Sequence, residues 1–574
     1  MPHVSPPTTP APGAGEVLAQ ALARCDAQIA RDPTDYVAWH DRGSALFEAG
    51  QLAEALACYE RVIALEPRIP EPHDNRGLVL QRMGRFAEAI ASHDAAIARS
   101  QRFAPAYLRR AMALREFGRF EEALEDAERA VALDPASPLA LNGRGIVHND
   151  LGRYQAAADD YHQALQRAPG FAEARNNLGN ALHDLGQFEE AVSQLDQALA
   201  LRPDYPDAHS NRALALQELG RLDESLAALD RAIAARPAFA EASKRRGALR
   251  LLRGDFLGGW ADYDASVHAA QARKQANGEA PGIPLWAGEP LQGRSILLSE
   301  PNGLGDMLQY WRFVPVLLEM GARVAFHGPS SMFGLLRSSP WQVPMLASPD
   351  EAEGFNFRSE LWSLPRLLRT TAETIPAGIP YLAADAKRLE RWPGLLAKDC
   401  INIGICWQGN PARKIDARRS IPLAAFAPLA RVADVRLISL QKTHGLDQLR
   451  DLPDSMQVIV PGDGFDDGPD AFLDTAALMQ ALDLVVTSDT AVAHLAGALG
   501  RPVWMALQRM PEWRWMLERT DSPWYPTMRV FRQPTRGDWS GVFDAMAATL
   551  HNGAPTSAVR PCRRTGVPAN ALPL

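Results

Sequence analysis

Residues 203–236 read PDYPDAHSNRALALQELGRLDESLAALDRAIAAR, and the same 34-residue phrase recurs along the first half of the chain. Its clearest mark is a glycine series, Gly50, Gly84, Gly118, Gly152, Gly186, Gly220 and Gly254, each 34 residues from the next. Two residues after each glycine comes an apolar or aromatic side chain: Leu52, Phe86, Phe120, Tyr154, Phe188, Leu222 and Phe256. Five residues after it comes a small residue: Ala55, Ala89, Ala123, Ala157, Ala191, Ser225 and Gly259. Prolines 33, 67, 135, 169, 203 and 237 close the units, and Gln101 interrupts their series. A glycine can end one helix in a left-handed cap. The small residue lets a second helix approach closely, and the proline stops that second helix. The phrase predicts a helix–turn–helix unit repeated in register.

Seven such units, from Asp35 to about residue 270, resemble the tetratricopeptide repeat. Glu16–Ala30 reads as a lone second helix of an incomplete eighth unit, so the array is expected over 16–270, with a disordered N-terminus over 1–15. Repeats of this kind stack into a superhelix with a concave groove. Asn75, Asn177 and Asn211 share one position on the first helix, where Asp41 stands in the first unit. In tetratricopeptide arrays attached to protein O-glycosyltransferases, an asparagine ladder there binds peptide backbone. The resemblance therefore implies acceptor binding by these three residues; read without it, they are solvated polar side chains. The next position is arginine in six units (Arg42, Arg76, Arg110, Arg144, Arg212 and Arg246). These arginines either bind acidic peptides or pair with Asp and Glu of neighbouring helices.

Length and composition bound the rest. The 574 residues exceed a single core. With 60 Lys+Arg against 68 Asp+Glu the net charge is −8. An acidic balance argues against nucleic acid as partner, because that binding rests on neutralising phosphates. Five cysteines without a C-x-x-C pair argue against a disulfide scaffold or a zinc module. No apolar run approaches the roughly 18 residues of a membrane helix. The first residues carry no basic and apolar leader, so a cytoplasmic location without integral membrane contact is expected.

After about residue 270 the ruler fails. Residues 271–288 (QARKQANGEAPGIPLWAG) read as a linker. Short apolar runs then alternate with helical stretches. The expected strands are Ser295–Ser299, Arg323–Phe326, Ile401–Cys406, Arg436–Leu440, Gln457–Val460, Leu484–Thr487, Val503–Leu507 and Arg529–Phe531. Helices are expected at Asp306–Met320, Phe472–Leu482, Thr490–Leu499 and Trp539–Leu550, the last crossing back. Such alternation implies parallel sheets covered by helices. Two Rossmann-like domains, 289–390 and 391–552, are expected to face each other, with a disordered tail over 553–574.

Three strand-end loops carry candidate chemistry. In EPNGLGD (300–306), Gly303 and Gly305 allow a tight turn and room for a ligand. Asp306 there is either a helix N-cap or a general base. In Ser488-Asp489-Thr490, small and hydroxyl residues enter a helix after a strand, which makes an anion site for a diphosphate. His494 lies one turn on, as part of that site or as packing between helix and sheet. The third loop holds Trp407, Gly409 and Asn410, then Lys414, Asp416, Arg418 and Arg419, whose cations suit a diphosphate or form a solvated basic loop. Gln441 and Lys442 follow another strand end and are expected to reach the same cleft. Trp513, Trp515 and Trp524 either stack a base or sugar or fill an interior.

The blocks EPNGLGDMLQYWRFVP, ICWQGNPARKIDARRSIPL, ISLQK and SDTAVAHLAGALGRPV resemble bacterial tetratricopeptide proteins with a C-terminal glycosyltransferase domain. That domain is similar to the heptosyltransferases, glycosyltransferase family 9, enzymes of GT-B fold. The resemblance implies an α-helical superhelix followed by an α/β GT-B pair. It also implies a catalytic base at Asp306 and a diphosphate site at Asp489, Thr490, Ala491 and His494. Lys414, then Arg419, would help the leaving group. No metal or other cofactor is expected, and no D-x-D at a strand end suggests one. The acceptor implied is a protein recruited by the repeats, as in flagellin glycosyltransferases. The first loop is longer than a minimal heptosyltransferase loop and carries Asn302, so an ADP-heptose donor does not follow; a lipopolysaccharide acceptor does not follow either, because a peptide-binding array suggests a protein instead. The rival reading is a non-catalytic scaffold whose GT-B part is degenerate.

Overall fold

The computed structural model describes residues 14–276, 282–300, 303–348, 351, 353–412 and 416–553. The chain forms two compact units that divide after Pro237.

The first unit is helical. Ala14–Arg31 precedes six helix pairs: Tyr36–Glu48 with Leu52–Leu65, Pro70–Arg82 with Phe86–Arg99, Ala104–Glu116 with Phe120–Leu133, Pro138–Asp150 with Tyr154–Arg167, Ala172–Asp184 with Phe188–Leu201, and Pro206–Glu218 with Leu222–Ala235. The ruler glycines do what the spacing predicts. Gly220 has φ 74°. Its N–H bonds to Gln217 O at 2.9 Å and the Arg221 N–H bonds to Leu216 O at 2.9 Å, the double closure of a Schellman cap.

A second series of small residues, Gly43, Gly77, Ala111, Gly145, Gly179 and Ala213, carries the contact between the paired helices. A Cβ at Gly145 would meet Tyr161 at 2.6 Å, and one at Gly179 would meet Leu195 at 2.5 Å. The arginine position resolves to structural charge. Arg110 donates to Asp126 and Asp94, each at 2.6 Å, Arg144 to Asp160 at 2.8 Å, and Arg212 to Asp196 at 2.5 Å. The partners sit 16 residues away, on the helices packed alongside, so these arginines stitch the array.

The second unit opens with one more helix pair, Ala240–Leu252 and Phe256–Ala276. The array expected over 16–270 is thus divided, its final repeat belonging with the α/β half, and its last helix runs into the expected linker. Two parallel sheets follow. The first contains β1 (Ser295–Ser299), β2 (Arg323–His327), β3 (Met345–Leu346) and β4 (Phe357–Glu360) in the order β3-β2-β1-β4. The second contains β5 (Ile401–Cys406), β6 (Val435–Ser439), β7 (Val458–Ile459), β8 (Leu484–Thr487), β9 (Val503–Leu507) and β10 (Met528–Arg532) in the order β10-β9-β8-β5-β6-β7. Strands β3 and β4 were not expected. β4 reads FRSE, and its polar side chains hide it from a hydropathy reading.

One apolar core runs through both sheets, with Ile296, Leu298 and Phe326 from the first, Val485 and Met505 from the second, and Leu495 from the helix Ala491–Ala498. A second core lies on the other face of the larger sheet, where Phe426 meets Phe543 with ring centroids 4.3 Å apart. Phe543 belongs to the final helix, Trp539–His551, which therefore packs on its own sheet instead of crossing back. The crossover between the sheets also falls earlier than residue 390, since the Tyr381 N–H already bonds to Ala498 O at 3.0 Å. The calls of disorder at 1–15 and in the tail beyond 553 lie almost wholly outside the described residues.

Within the second unit the final repeat is seated on the α/β part. The Trp260 ring meets Trp513 edge-on at 5.3 Å, and its indole N–H donates to Thr370 O. Tyr263 packs on Trp362 at 6.2 Å, and Asp264 pairs with Arg366.

Candidate functional site

Strand order locates the site. In the first sheet the chain leaves β1 outward to β2 and β3, then returns to β4 on the other side. In the second it runs from β5 to β6 and β7, then returns to β8 beside β5 and continues to β10. The loops after β1 and β4, and those after β5 and β8, consequently part at a switch point, where open α/β sheets receive ligands. Glu300–Asp306 follows β1; the 407–420 and 488–490 loops follow β5 and β8.

The helix Leu304–Tyr310 starts at Gly303, whose backbone is extended. Gly303 holds the cap position, so Asp306, in the first turn, is not the N-cap. A Cβ at Gly305 would lie 3.0 Å from His494 Cδ2 and 3.5 Å from Ala491 Cα. Gly305 thus makes room for the helix Ala491–Ala498 rather than for a ligand, and the β1 and β8 turns meet there.

Asp306 is partly exposed and its Oδ1 pairs with Arg514 at 2.8 Å. Arg514 is buried and also donates to Glu512 Oε2 at 3.0 Å and to Gln309 Oε1. Burial works against its charge, but Tyr310, Asp306, Glu512 and Asp489 around it hold the proton more firmly than usual.

Asp489 and His494 form the other wall. Burial, then the Glu512 carboxylate, raises the Asp489 carboxyl to about 6. Burial and the nearby Arg514, Arg312 and Arg419 charges push His494 well below the usual imidazole range, so its ring is neutral. His494 Nδ1 lies 3.0 Å from Tyr525 OH, and its ring stacks on Trp515 at 5.4 Å. Nε2 is 3.8 Å from Asp489 Oδ1, beyond a hydrogen bond. His494 therefore packs its helix against Trp515, Tyr525 and the turn at Gly305. Thr490 caps the helix Ala491–Ala498 without a side-chain cap bond. Its Oγ1 lies 3.1 Å from Thr487 Oγ1. Ser488 Oγ is buried there without a hydrogen-bond partner among the described residues.

The β5 loop meets expectation in part. Trp407 is a correction: strand alternation buries its indole in the core on the far face, with Nε1 donating to Gly445 O at 3.1 Å. Gly409 gives close access to a buried pair, since a Cβ there would meet Asp416 Oδ1 at 2.3 Å and Arg419 Nη2 at 2.8 Å. Asp416 accepts from Ser420 Oγ at 2.8 Å and from Arg419 Nε at 3.3 Å. The Arg419 charge is felt at Asp489 and His494. Asn410 is exposed and closes its own turn on Ala412 N at 3.0 Å. Gln441 Oε1 accepts from the N–H groups of Trp407 (3.1 Å) and Gln408 (3.0 Å), which fixes the turn. Lys442 pairs with Asp467 at 2.5 Å, both side chains exposed. Lys414 lies outside the described residues. Trp515 and Trp524 are fully buried, so they fill the interior.

In the array, the asparagines hydrogen-bond across repeats. Asn177 Nδ2 donates to Asn142 Oδ1 at 3.0 Å, Asn211 Nδ2 to Asn176 Oδ1 at 3.0 Å, and Asn75 Nδ2 lies 3.0 Å from His40 Nε2. Among the described residues, no group of three or more His, Cys, Asp or Glu is arranged to hold a metal ion, and no helix is long and apolar enough to cross a membrane.

Known proteins match the chain in the same two parts. TPR repeat models match residues 43–84 and 179–220, and tetratricopeptide repeat models match 75–138 and 206–239. Protein FlbA of Caulobacter vibrioides is 27% identical over 325 residues, which is 52% of either protein, so the chain spans about half the length of that curated relative. Among solved structures, the APC/C hetero-tetramer Cut9–Hcn1 is 22% identical, with a TM-score of 0.38 over 41% of this chain and 46% of that one. A tetratricopeptide repeat protein from Parabacteroides merdae is 19% identical, with a TM-score of 0.36 over 42% and 96%. Tetratricopeptide repeats thus occupy the N-terminal half, and residues 467–507, which hold Asp489, Thr490, Ala491 and His494, match glycosyltransferase family 9 (heptosyltransferase).

Proposed function

We propose that the chain is a glycosyltransferase of GT-B type that moves a sugar from a nucleotide-activated donor to an acceptor, a protein held by the repeats. The observation that carries this reading is the meeting of two switch-point loops. The first places Asp306 beside the helix that begins at Thr490, with Gly305 against His494. A donor diphosphate would lie at the N-terminus of Ala491–Ala498, where free N–H groups and the helix dipole favour an anion, within the field of Arg419. The acceptor hydroxyl would give its proton to Asp306. Its oxygen would bond to the anomeric carbon as the bond from that carbon to the diphosphate oxygen breaks, releasing the nucleoside diphosphate. This reading needs no metal, and it places the reaction in the cytoplasm, where nucleotide sugars are made.

The repeats supply the acceptor-binding surface in this reading. The asparagines at 75, 177 and 211 are already bonded between helices, which leaves part of each amide for a peptide backbone. A panel of nucleotide sugars screened by thermal shift tests the proposal, since a bound donor raises stability as RT ln(1+[L]/Kd). A panel without a single shift, confirmed by calorimetry at millimolar donor, would favour the scaffold reading.

A further inference from the structure

We propose that Arg514 is the positioning residue of Asp306 and that the final repeat, Ala240–Leu252 with Phe256–Ala276, holds it in place. This inference rests on the glycosyltransferase reading for its meaning, but not for its test. Arg514 sits at the centre of a short 3-10 turn, Trp513–Trp515, and its neighbours on that turn point to different parts of the unit. Trp513 meets Trp260 of the final repeat edge-on at 5.3 Å. Trp515 stacks on His494 at 5.4 Å, and its carbonyl accepts from Arg532 Nη2 at 2.6 Å. Met516 closes the turn at φ 49°, an unfavourable conformation for a non-glycine residue that persists only where the surroundings impose it. Its Cε lies 3.1 Å from the Cβ position of Gly254, again in the final repeat.

The guanidinium between these anchors touches only one oxygen of Asp306. Oδ1 is bound at 2.8 Å, while Oδ2 has no hydrogen bond among the described residues. A carboxylate clamped at one oxygen and open at the other suits a base that must face a single hydroxyl. Glu512 and Asp306 together already offset the Arg514 charge, which sets it apart from Arg419, bonded to a single carboxylate at Asp416. The ionisable groups facing Arg514 are Tyr310, Asp306, Glu512 and Asp489, with neutral His494 beside them.

The test compares full-length wild type with Arg514→Gln, Arg514→Lys and Trp260→Leu. The Arg514–Asp306 link is read without donor by a double-mutant cycle of Arg514→Gln and Asp306→Asn in urea melts, where a direct pair makes the two effects non-additive. In a transfer assay Arg514→Gln should lower kcat about 100-fold with donor KM unchanged, as for loss of one oriented charge. Added to Asp306→Asn it should lower kcat no further, because its effect runs through that carboxylate. Arg514→Lys should recover part of the loss, because an ammonium keeps the charge without the fork. Trp260→Leu should lower kcat about 10-fold at unchanged donor KM, by loosening the turn. Additive stability effects overturn the proposal, and so does a rise in donor KM at unchanged kcat, which would make Arg514 a donor-binding cation. If wild type transfers nothing, the glycosyltransferase reading fails while the cycle still decides the Arg514–Asp306 link. If Arg514→Gln does not fold, Arg514→Lys carries the same cycle.

Discussion

The two halves of the chain are built on opposite principles. In the repeats the stabilising contacts named above stay within about one repeat length: Arg144 reaches Asp160, Gly179 meets Leu195, and each glycine turn closes on the helix before it. In the α/β half the decisive contacts are long. Arg514 reaches back 208 residues to Asp306, and the Trp260 indole reaches Thr370, 110 residues on. A nearest-neighbour array absorbs damage locally, whereas a core threaded through two sheets passes it on. Damage at the site should therefore read out as lost chemistry, and damage in the repeats as local loosening.

The sharpest separation is expected from Asp306→Asn. Removing a general base typically costs about 100- to 10,000-fold in rate, so kcat should fall by that order while circular dichroism shows the fold retained. Unchanged turnover would remove Asp306 from the reaction. Next in size is Gly179→Leu, which forces a side chain onto Leu195. Overpacking of this kind costs about 1–3 kcal/mol. Hydrogen exchange should accelerate in the helices around 172–201 and stay slow at 304–310; acceleration in both would break the contrast.

Asp489→Asn probes the buried acid. With its carboxyl raised to about 6, ionised Asp489 weighs against the fold at neutral pH, and the penalty lifts as pH falls below 6. His494, lowered by burial, acts oppositely: its contribution is present above the unfolded value near 6.5 and fades on acidification. The variant should be more stable than wild type at pH 7, by on the order of 3 kcal/mol, and should lose stability faster between pH 7 and 5. Urea melts across that range measure it, and parallel curves would refute the assignment. The smallest effect is expected from Arg212→Ala, whose partner Asp196 is exposed. It breaks one of the stitching pairs, and partly exposed ion pairs contribute at most about 1 kcal/mol.

The same contrast explains what the sequence discloses. The 34-residue period is visible because its causes, a left-handed cap and a close helix pair, act within one unit. Strands β1, β5, β8 and β9 are visible because both their faces are buried, which leaves unbroken apolar runs. Asp306 and Thr490 could be named from their loops, since strand ends announce themselves. Arg514 was hidden. It stands between two tryptophans in WRW, which reads as an aromatic cluster, and its partners lie far back in the chain. The Trp407 indole was misplaced because a strand-end residue looks like loop, while the pleat still dictates which face it takes. Gly305 was read as space for a ligand, but it is space for His494, a contact no local pattern encodes.

The seating of Trp260 against Trp513 and of Tyr263 against Trp362 has a practical side. Anyone cutting the protein to isolate its α/β portion would be drawn to the loss of the repeat pattern near 270 or the polar stretch after it. Severed there, the piece would bare two indoles and a cation, Arg366, deprived of its carboxylate. The compact unit begins at Ala238, so a cut there keeps the helical hairpin that covers those indoles and pairs Arg366.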